Sequence, residues 1–373
     1  MRVGVPKEIK NNEFRVGLTP AAVRELIAHG HQVLIETDAG EEIGLHDSLY
    51  ARAGAKIVSS PAELFGAADL IVKVKEPQPD EIELLRRGQT LFAYLHLAPD
   101  PELTKALMGA GIVGIAYETV TDARGGLPLL APMSEVAGRM AIQAGAHCLE
   151  MIEGGRGMLL GGVPGVPAAH IVVLGGGVVG TNAARIAMGM EAQVSVIDIS
   201  LPRLYALDLQ FGGRLNTVYS TIDTIEESVV DADLVVGAVL VPGAASPKLI
   251  SENMVKAMKK GSVIVDVAID QGGCAETSRP TTHDKPTYKV HDVVHYCVTN
   301  MPGAVARTST FALNNATLPF VLALAAKGAR AAMADDPHLR AGLNVYDGVL
   351  TYRAVAEGQG LPYTGADEVL DIA

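Results

Sequence analysis

The sequence predicts an α/β protein of two domains, each built on a parallel sheet, joined by helices across a cleft. Three observations predict it. The chain has 373 residues, more than one ordinary domain holds. Short apolar runs alternate with helical patterns in two separate series. A glycine-rich turn between a strand and a helix opens the second series.

In the first series, Arg2–Val5 reads as a strand. Thr19-Pro20 opens a helix, with Thr as cap and Pro in the first turn, and Gly30 closes it. Further strands are expected at Gln32–Glu36, Leu70–Val74, Thr90–Leu95 and Ile112–Ala116. Helices are expected at Pro61–Ala67, Asp80–Arg87 and Pro101–Ala110. A connecting helix is expected from Ser134 to about Met151, with Ser134 as its cap and Glu135 in its first turn. The second series offers strands at Ile171–Leu174, Gln193–Ile197, Thr217–Tyr219, Leu234–Val236 and Val263–Val267, and a last short one near His295–Thr299. From Arg307 the pattern is mostly helical. That tail is too short for its own domain and is expected to return to the first one. The boundaries that follow are 1–132 with 307–373, and 133–306 between them.

Composition narrows the class. Apolar residues make up 49% and charged residues 19%, as in a packed globular protein. The formal net charge of −12 argues against a nucleic-acid partner, which needs a basic face. Cys148, Cys274 and Cys297 are scattered and odd in number, so they read as reduced, buried thiols rather than a disulfide framework. No His, Cys or Asp spacing reads as a metal site, and none is expected. The amino terminus is charged and lacks an apolar leader core. The most lipid-like stretch, Met158 to Gly180, holds seven glycines and two prolines, so no membrane span is expected there. These features point to the cytoplasm.

The sharpest motif is G-x-G-x-x-G, as Gly175, Gly177 and Gly180 between the strand Ile171–Leu174 and a helix. Gly175 permits the tight turn, Gly177 lets backbone approach a pyrophosphate, and Gly180 lets helix pack on strand. The helix amino terminus then faces the phosphate charge. Asp198 ends the next strand, where a carboxylate can accept hydrogen bonds from ribose hydroxyls and repel the extra phosphate of NADP. The expected cofactor is therefore NAD, and the domains are expected to be Rossmann-like. The alternative is an ordinary βαβ unit.

Four residues carry the candidate chemistry: Arg15, Lys75, His96 and Asp270. From the residues alone, Arg15 and Lys75 read as solvated cations, His96 as a structural histidine between leucines, and Asp270 as a turn carboxylate. A wider likeness changes that. The stretches KEIKNNEFRVGLTP, VKVKEPQPDE, LFAYLHLAPD, APMSEVAGRMAIQAGA, GGRGMLLGGVPGVP, DQGGCAETSRPTTH and VHYCVTNMPGAVARTSTFALNNATLP resemble the alanine dehydrogenase family along essentially the whole chain. That family also includes, more distantly, the NAD-binding component of proton-translocating transhydrogenase.

The resemblance implies NAD-dependent interconversion of L-alanine with pyruvate and ammonium, by a homohexamer. It implies substrate contacts at Arg15 and Lys75 and proton transfer at His96 and Asp270. It implies cofactor contacts at Ser134, Gly175, Gly177, Val178, Val179, Gly180, Asp198, Arg203, Ser220, Val239, Leu240, Val267, Ala268, Ile269, Asp270, Arg279, Val298, Asn300 and Met301. Met133 and Met301 would wall the nicotinamide side. Taken alone, Ser134 reads as a helix cap and Arg203 as a surface charge. Two other readings stay open: a nucleotide-binding subunit that hands hydride to a membrane partner, and a dehydrogenase for a larger amino acid. Because Arg15, Lys75, His96, Asp270 and the Gly175–Gly180 loop all follow strands, both sheets are expected to turn their carboxyl edges to one cleft.

Overall fold

The computed structural model describes residues 1–239 and 246–372. Its contacts divide into two compact units: Met1–Met133 with Val305–Ala373, and Ser134–Ala304. In chain order the strands of the described residues are β1 (Arg2–Val5), β2 (Gln32–Glu36), β3 (Lys56–Val58), β4 (Leu70–Val72), β5 (Thr90–Ala93) and β6 (Val113–Ala116). Then come β7 (His170–Leu174), β8 (Gln193–Asp198), β9 (Asn216–Tyr219), β10 (Leu234–Gly237), β11 (Val263–Asp266), β12 (Thr287–Val290) and β13 (Val293–Tyr296). The last are β14 (Leu343–Tyr346) and β15 (Val349–Leu350). The fold is α/β with two mostly parallel sheets.

The first unit's sheet runs β15-β14-β6-β5-β4-β1-β2-β3. Its six leading strands are parallel, and their residues read as near-continuous apolar runs because both faces are covered. Thr19 caps the helix Pro20–Ala28 by accepting from the Ala22 N–H, and Asp100 caps Pro101–Ala110 in the same way at Leu103. Chain order reverses between β1 and β4, so their loops flank a topological switch point.

The helix Ala306–Lys327 returns to this unit. Residues Met301–Lys327 are long and apolar enough to cross a bilayer by length and composition alone. Its buried face carries Thr310 and Asn314. Thr310 accepts from the Val16 N–H, and Asn314 accepts from both the N–H and the hydroxyl of Thr19. Buried polar groups with protein partners mark a core helix.

The second unit's sheet runs β12-β13-β11-β10-β7-β8-β9, with the same reversal between β7 and β10. Helices cover both faces. Val179, Ala183 and Ala187 pack with Val173 and Val196 in one cluster, and Ile225, Val229 and Val255 with Val172 and Ile264 in the other.

Several expectations need correction. The expected parallel sheets are present, extended by β12, β14 and β15 as antiparallel edges. The expected strand near His295–Thr299 lies at Val293–Tyr296. The connecting helix begins at Ala131, before Ser134, and ends at Cys148. Pro132 suits a first turn, where its missing N–H costs nothing; Ser134 is therefore inside the helix and does not cap it. The tail after Arg307 carries two strands: Asn344 breaks the apolar run of β14, and β15 is only two residues.

Candidate active site

In the first unit, the loops after β1, β4, β5 and β6 supply one charged cluster. These four strands are neighbours in the sheet, so their carboxyl ends lie side by side.

Arg15, in the loop after β1, is only 2% exposed. Its Nε donates to Glu13 Oε1 at 2.6 Å, its Nη2 pairs with Glu13 Oε2, and its Nη1 lies 3.1 Å from Met133 Sδ. Burial works against the guanidinium's charge, and the two-point bond to Glu13 outweighs it, so its pKa is raised. Glu13 in turn is held below the usual carboxylate range by Arg15, against the opposing effect of its own burial. The surface-cation reading of Arg15 is thus wrong.

Lys75 follows β4. Burial lowers its ammonium pKa, and the nearby Arg15 charge lowers it further. Its backbone is anchored from behind: Glu8 Oε1 accepts the N–H of Val74 at 2.6 Å and of Lys75 at 3.4 Å. Glu8 itself bonds to the buried Lys73, which also pairs with Glu81 at 2.6 Å.

His96 follows β5 in a left-handed conformation, φ 48°. Such a backbone is costly outside glycine, asparagine and aspartate. Glu118, after β6, holds it there by accepting the N–H of His96 at 2.7 Å and of Leu95 at 3.1 Å. The side chain is 45% exposed, and its Nδ1 stands 3.6 Å from Glu76 Oε2, an ion-pair separation rather than a closed hydrogen bond. Burial raises the Glu76 pKa, but the approach of His96 and the Lys10 ammonium pushes it down to about 2.

Sequence reading missed Lys10, Glu13, Glu76 and Glu118. The available signal was positional. Glu76 and Glu118 each lie just past a parallel strand, where the chain reaches the carboxyl edge of the sheet.

In the second unit the glycine loop leads from β7 into the helix Val178–Gly189. Gly175 has φ 95°, a conformation that favours glycine. A Cβ on Gly180 would fall 1.8 Å from the Gly175 carbonyl oxygen, so that helix turn packs on backbone. A Cβ on Gly177 would meet nothing within 4 Å. This combination fits a dinucleotide: a tight turn, close packing at the third glycine, and open space over the middle one at a helix amino terminus.

Asp198 ends β8 and accepts from Gly176 N at 2.7 Å and Ser200 N at 2.8 Å. Arg203 Nε donates to the Gly176 carbonyl, and its Nη2 bonds to Thr181 Oγ1. Arg203 therefore shapes the glycine loop rather than standing in solvent. Ser220 follows β9 and donates its N–H to the Asp198 carbonyl at 3.0 Å. Val178 is exposed and Val179 buried at the start of the helix.

Val267, Ala268, Ile269 and Asp270 form a single 3-10 turn after β11, with Asp270 exposed and the two alanine and isoleucine side chains buried. Val239 follows β10, and its carbonyl accepts from Ser246 Oγ. Arg279 stacks its guanidinium 4.3 Å from the Tyr288 ring centroid. Val298 and Met301 are buried, and Asn300 has φ 59°. Ser134 is half-buried on its helix, and Met133 belongs to the first unit beside Arg15. Leu240 lies outside the described residues. The three cysteines are buried. Burial pushes Cys148 up to about 12 and raises the other two, which makes all three inert thiols.

Residues 4–137 match the family model described as alanine dehydrogenase/PNT, N-terminal domain, and residues 141–353 match alanine dehydrogenase/PNT, C-terminal domain. The chain is 61% identical to the alanine dehydrogenase of Halomonas elongata over 370 residues, 99% of this chain and all of that one. A solved L-alanine dehydrogenase superposes with TM-score 0.94 at 53% identity, covering 96% of this chain and 99% of its own. A transhydrogenase structure from Sinorhizobium meliloti superposes with TM-score 0.83 at 26% identity, covering 94% of this chain and all of its own.

Proposed function

We infer the activity from one premise, that the chain belongs to the alanine dehydrogenase family: it oxidatively deaminates L-alanine to pyruvate and runs the reverse reductive amination. It is an amino-acid dehydrogenase that uses a nicotinamide dinucleotide. We assign NAD as that cofactor because Asp198 would meet the ribose hydroxyls and oppose a further phosphate, and ammonium as the nitrogen product. Association as a homohexamer and a cytoplasmic location belong to the same reading.

The observation that carries the substrate assignment is the charged cluster on one sheet edge. Arg15 and Lys75 bring two positive charges to the end of β1 and β4, which suits a small carboxylate. Lys75, with its ammonium pKa lowered, is positioned to polarise the keto oxygen as well as hold the carboxylate. His96 turns Nδ1 to Glu76, which leaves Nε2 to exchange protons with substrate. A subunit that only relayed hydride would need none of this cluster.

When bound, the cofactor supplies a two-electron hydride acceptor. Lys75 and Arg15 then fix the alanine carboxylate while hydride leaves its α-carbon. The resulting imine takes up water at the same carbon, and His96 removes the proton from that water. His96 returns that proton to nitrogen, and as ammonia departs the hydroxyl of the adduct gives up its own proton and becomes the carbonyl. Asp270 is assigned as the second proton-handling group, on the turn after β11.

The test is an NADH-consumption assay with pyruvate and ammonium together, then with each omitted. Turnover is expected only with both. Loss of NADH without ammonium, or none with any small oxoacid, overturns the reading.

A further inference from the structure

The turn that carries Asp270 is held by a side chain with no place in the chemistry above. Lys248 sits on the segment Ser246–Ile250, which runs alongside residues 271–276. Ser246 N–H donates to the Gln271 carbonyl, Leu249 N–H donates to the Cys274 carbonyl, and Glu276 N–H donates to the Ile250 carbonyl. Between these bonds, the Lys248 ammonium donates to three carbonyls at once: Gly272 at 2.5 Å, Gly273 at 2.9 Å and Ala275 at 3.1 Å. An ammonium has three donors and no acceptor, so this arrangement uses all of them.

The opposite side of the same turn is held by a carboxylate. Asp266, fully buried at the end of β11, accepts from Cys274 N at 2.8 Å, Ala275 N at 3.3 Å and Ser278 Oγ at 2.6 Å. The chain between Lys248 and Asp266 therefore gives its carbonyls to a cation and its N–H groups to an anion. Gly272 and Gly273, φ 92° and 76°, make the reversal between them possible. A Cβ on Gly273 would stand 2.6 Å from Asp266 Oδ2, so the turn is closed tightly on that side.

We propose that Lys248 is a positioning residue for the deamination reaction: by gathering the carbonyls of Gly272, Gly273 and Ala275, it fixes the turn Val267–Gln271 and with it Asp270. The carbonyl cradle begins two residues after Asp270, so freedom gained there passes directly to that carboxylate. Lys248 lies at the surface, and its removal leaves the apolar core intact. Small displacements of a proton-handling group cost rate steeply, whereas global stability depends on the core. This inference rests on the assignment of Asp270 above.

The experiment is a double-mutant cycle of Lys248→Met and Asp270→Asn in the full-length enzyme, with hydrogen exchange on both single variants. K248M is expected to lower kcat about tenfold, leave KM for pyruvate within about twofold, and speed amide exchange across residues 267–276. In the D270N background the same change should lower kcat by less than about twofold, because the group it positions is gone. A merely structural lysine would lower both backgrounds alike. Equal losses in both, or unchanged kcat and exchange in K248M, overturn the proposal. If D270N alone keeps full turnover, the assignment of Asp270 fails and faster exchange in K248M without a kcat loss overturns the link to catalysis. Should K248M not fold, Lys248→Arg, a planar cation on a similar stem, takes its place in the cycle.

Discussion

The two units share one strand order and use it in opposite ways. In the first, β3-β2-β1-β4-β5-β6 leads to a switch point lined by charged side chains. In the second, β9-β8-β7-β10-β11-β13 leads to one lined by backbone. After β1 comes Arg15 with its Glu13 partner; after β7 comes a run of glycines. After β4 come Lys75 and Glu76; after β10 comes Val239, whose own carbonyl is the bonded group. The comparison teaches that the fold supplies only an edge. A small substrate must be held by charges that reach out to it, while a long dinucleotide is met by N–H groups and by room for close approach.

Losing a side chain should therefore cripple the first unit's work and spare the second's. His96→Ala is expected to lower kcat roughly 10²–10⁴-fold, the contribution of a positioned acid–base group. NADH affinity, read by fluorescence titration, should stay within about twofold. A loss of turnover below tenfold with the fold intact would make His96 a structural residue. A matching loss of NADH affinity would erase the division of labour between the units.

The carboxylate behind His96 gives a pH-dependent version of the same test. Glu76 in the folded protein titrates at about 2, below its ordinary 4.5. A lowered acid contributes stability that is complete above its unfolded pKa and fades as pH falls toward its folded one. Glu76→Gln should thus cost roughly 1.5–3 kcal/mol in urea unfolding at neutral pH, as for a bond to a charged group. The gap between the two proteins should hold down to about pH 4.5 and shrink toward pH 2. A gap that widens in acid would refute the depressed pKa.

Adding an atom should do in the second unit what removing one does in the first. Gly180→Ala puts a methyl 1.8 Å from the Gly175 oxygen, so the glycine loop must move. Overpacking of this kind costs about 1–3 kcal/mol, or roughly a five- to 150-fold weaker NADH affinity if the cost falls on the loop. The same substitution at Gly177, where a Cβ has open space, should be milder in the protein without cofactor. Equal thermal shifts for both would mean the loop has no tight side.

The same contrast explains what could be read without coordinates. Backbone sites leave a compositional trace, so the glycine turn at Gly175, Gly177 and Gly180 and the carboxylate of Asp198 at the end of β8 could be singled out from spacing alone. The central parallel strands were legible too, since burial on both faces makes them continuous apolar runs. Side-chain sites leave no local pattern. Arg15 looks like any surface cation until Glu13 and the surrounding burial are seen, and Glu118 is 22 residues from the His96 N–H it accepts. Their assignment came from resemblance. The strands β3, β14 and β15 were missed because a polar residue breaks the apolar run (Lys56, Asn344) or only two residues pair (Val349–Leu350), and pairing with β2, β6 and β14 decides their conformation. The helix start at Ala131 was missed because Ser134 resembles a cap, yet a serine inside a first turn has the same local sequence.

Asp198 is a side chain on which the mainly backbone-built site also depends, and it gives the smallest and most discriminating prediction. Its carboxylate has two possible duties. It anchors the loop, by taking the N–H groups of Gly176 and Ser200. On the proposed reading it also opposes the extra phosphate of NADP. Asp198→Ser separates the two. A hydroxyl can accept one of the lost bonds, so part of the anchor survives, but the negative charge does not. Arg203, tied to the Gly176 carbonyl of the same loop, then offers an uncompensated positive charge that attracts phosphate. Two unit charges 4 Å apart interact by about 1 kcal/mol even in bulk water, so the ratio of kcat/KM for NADP over NAD should rise at least about fivefold. NAD use should fall in the same variant because the loop has lost a bond. If both cofactors lose equally and the ratio stays put, Asp198 is a loop anchor only, and the proposed basis for choosing NAD over NADP fails.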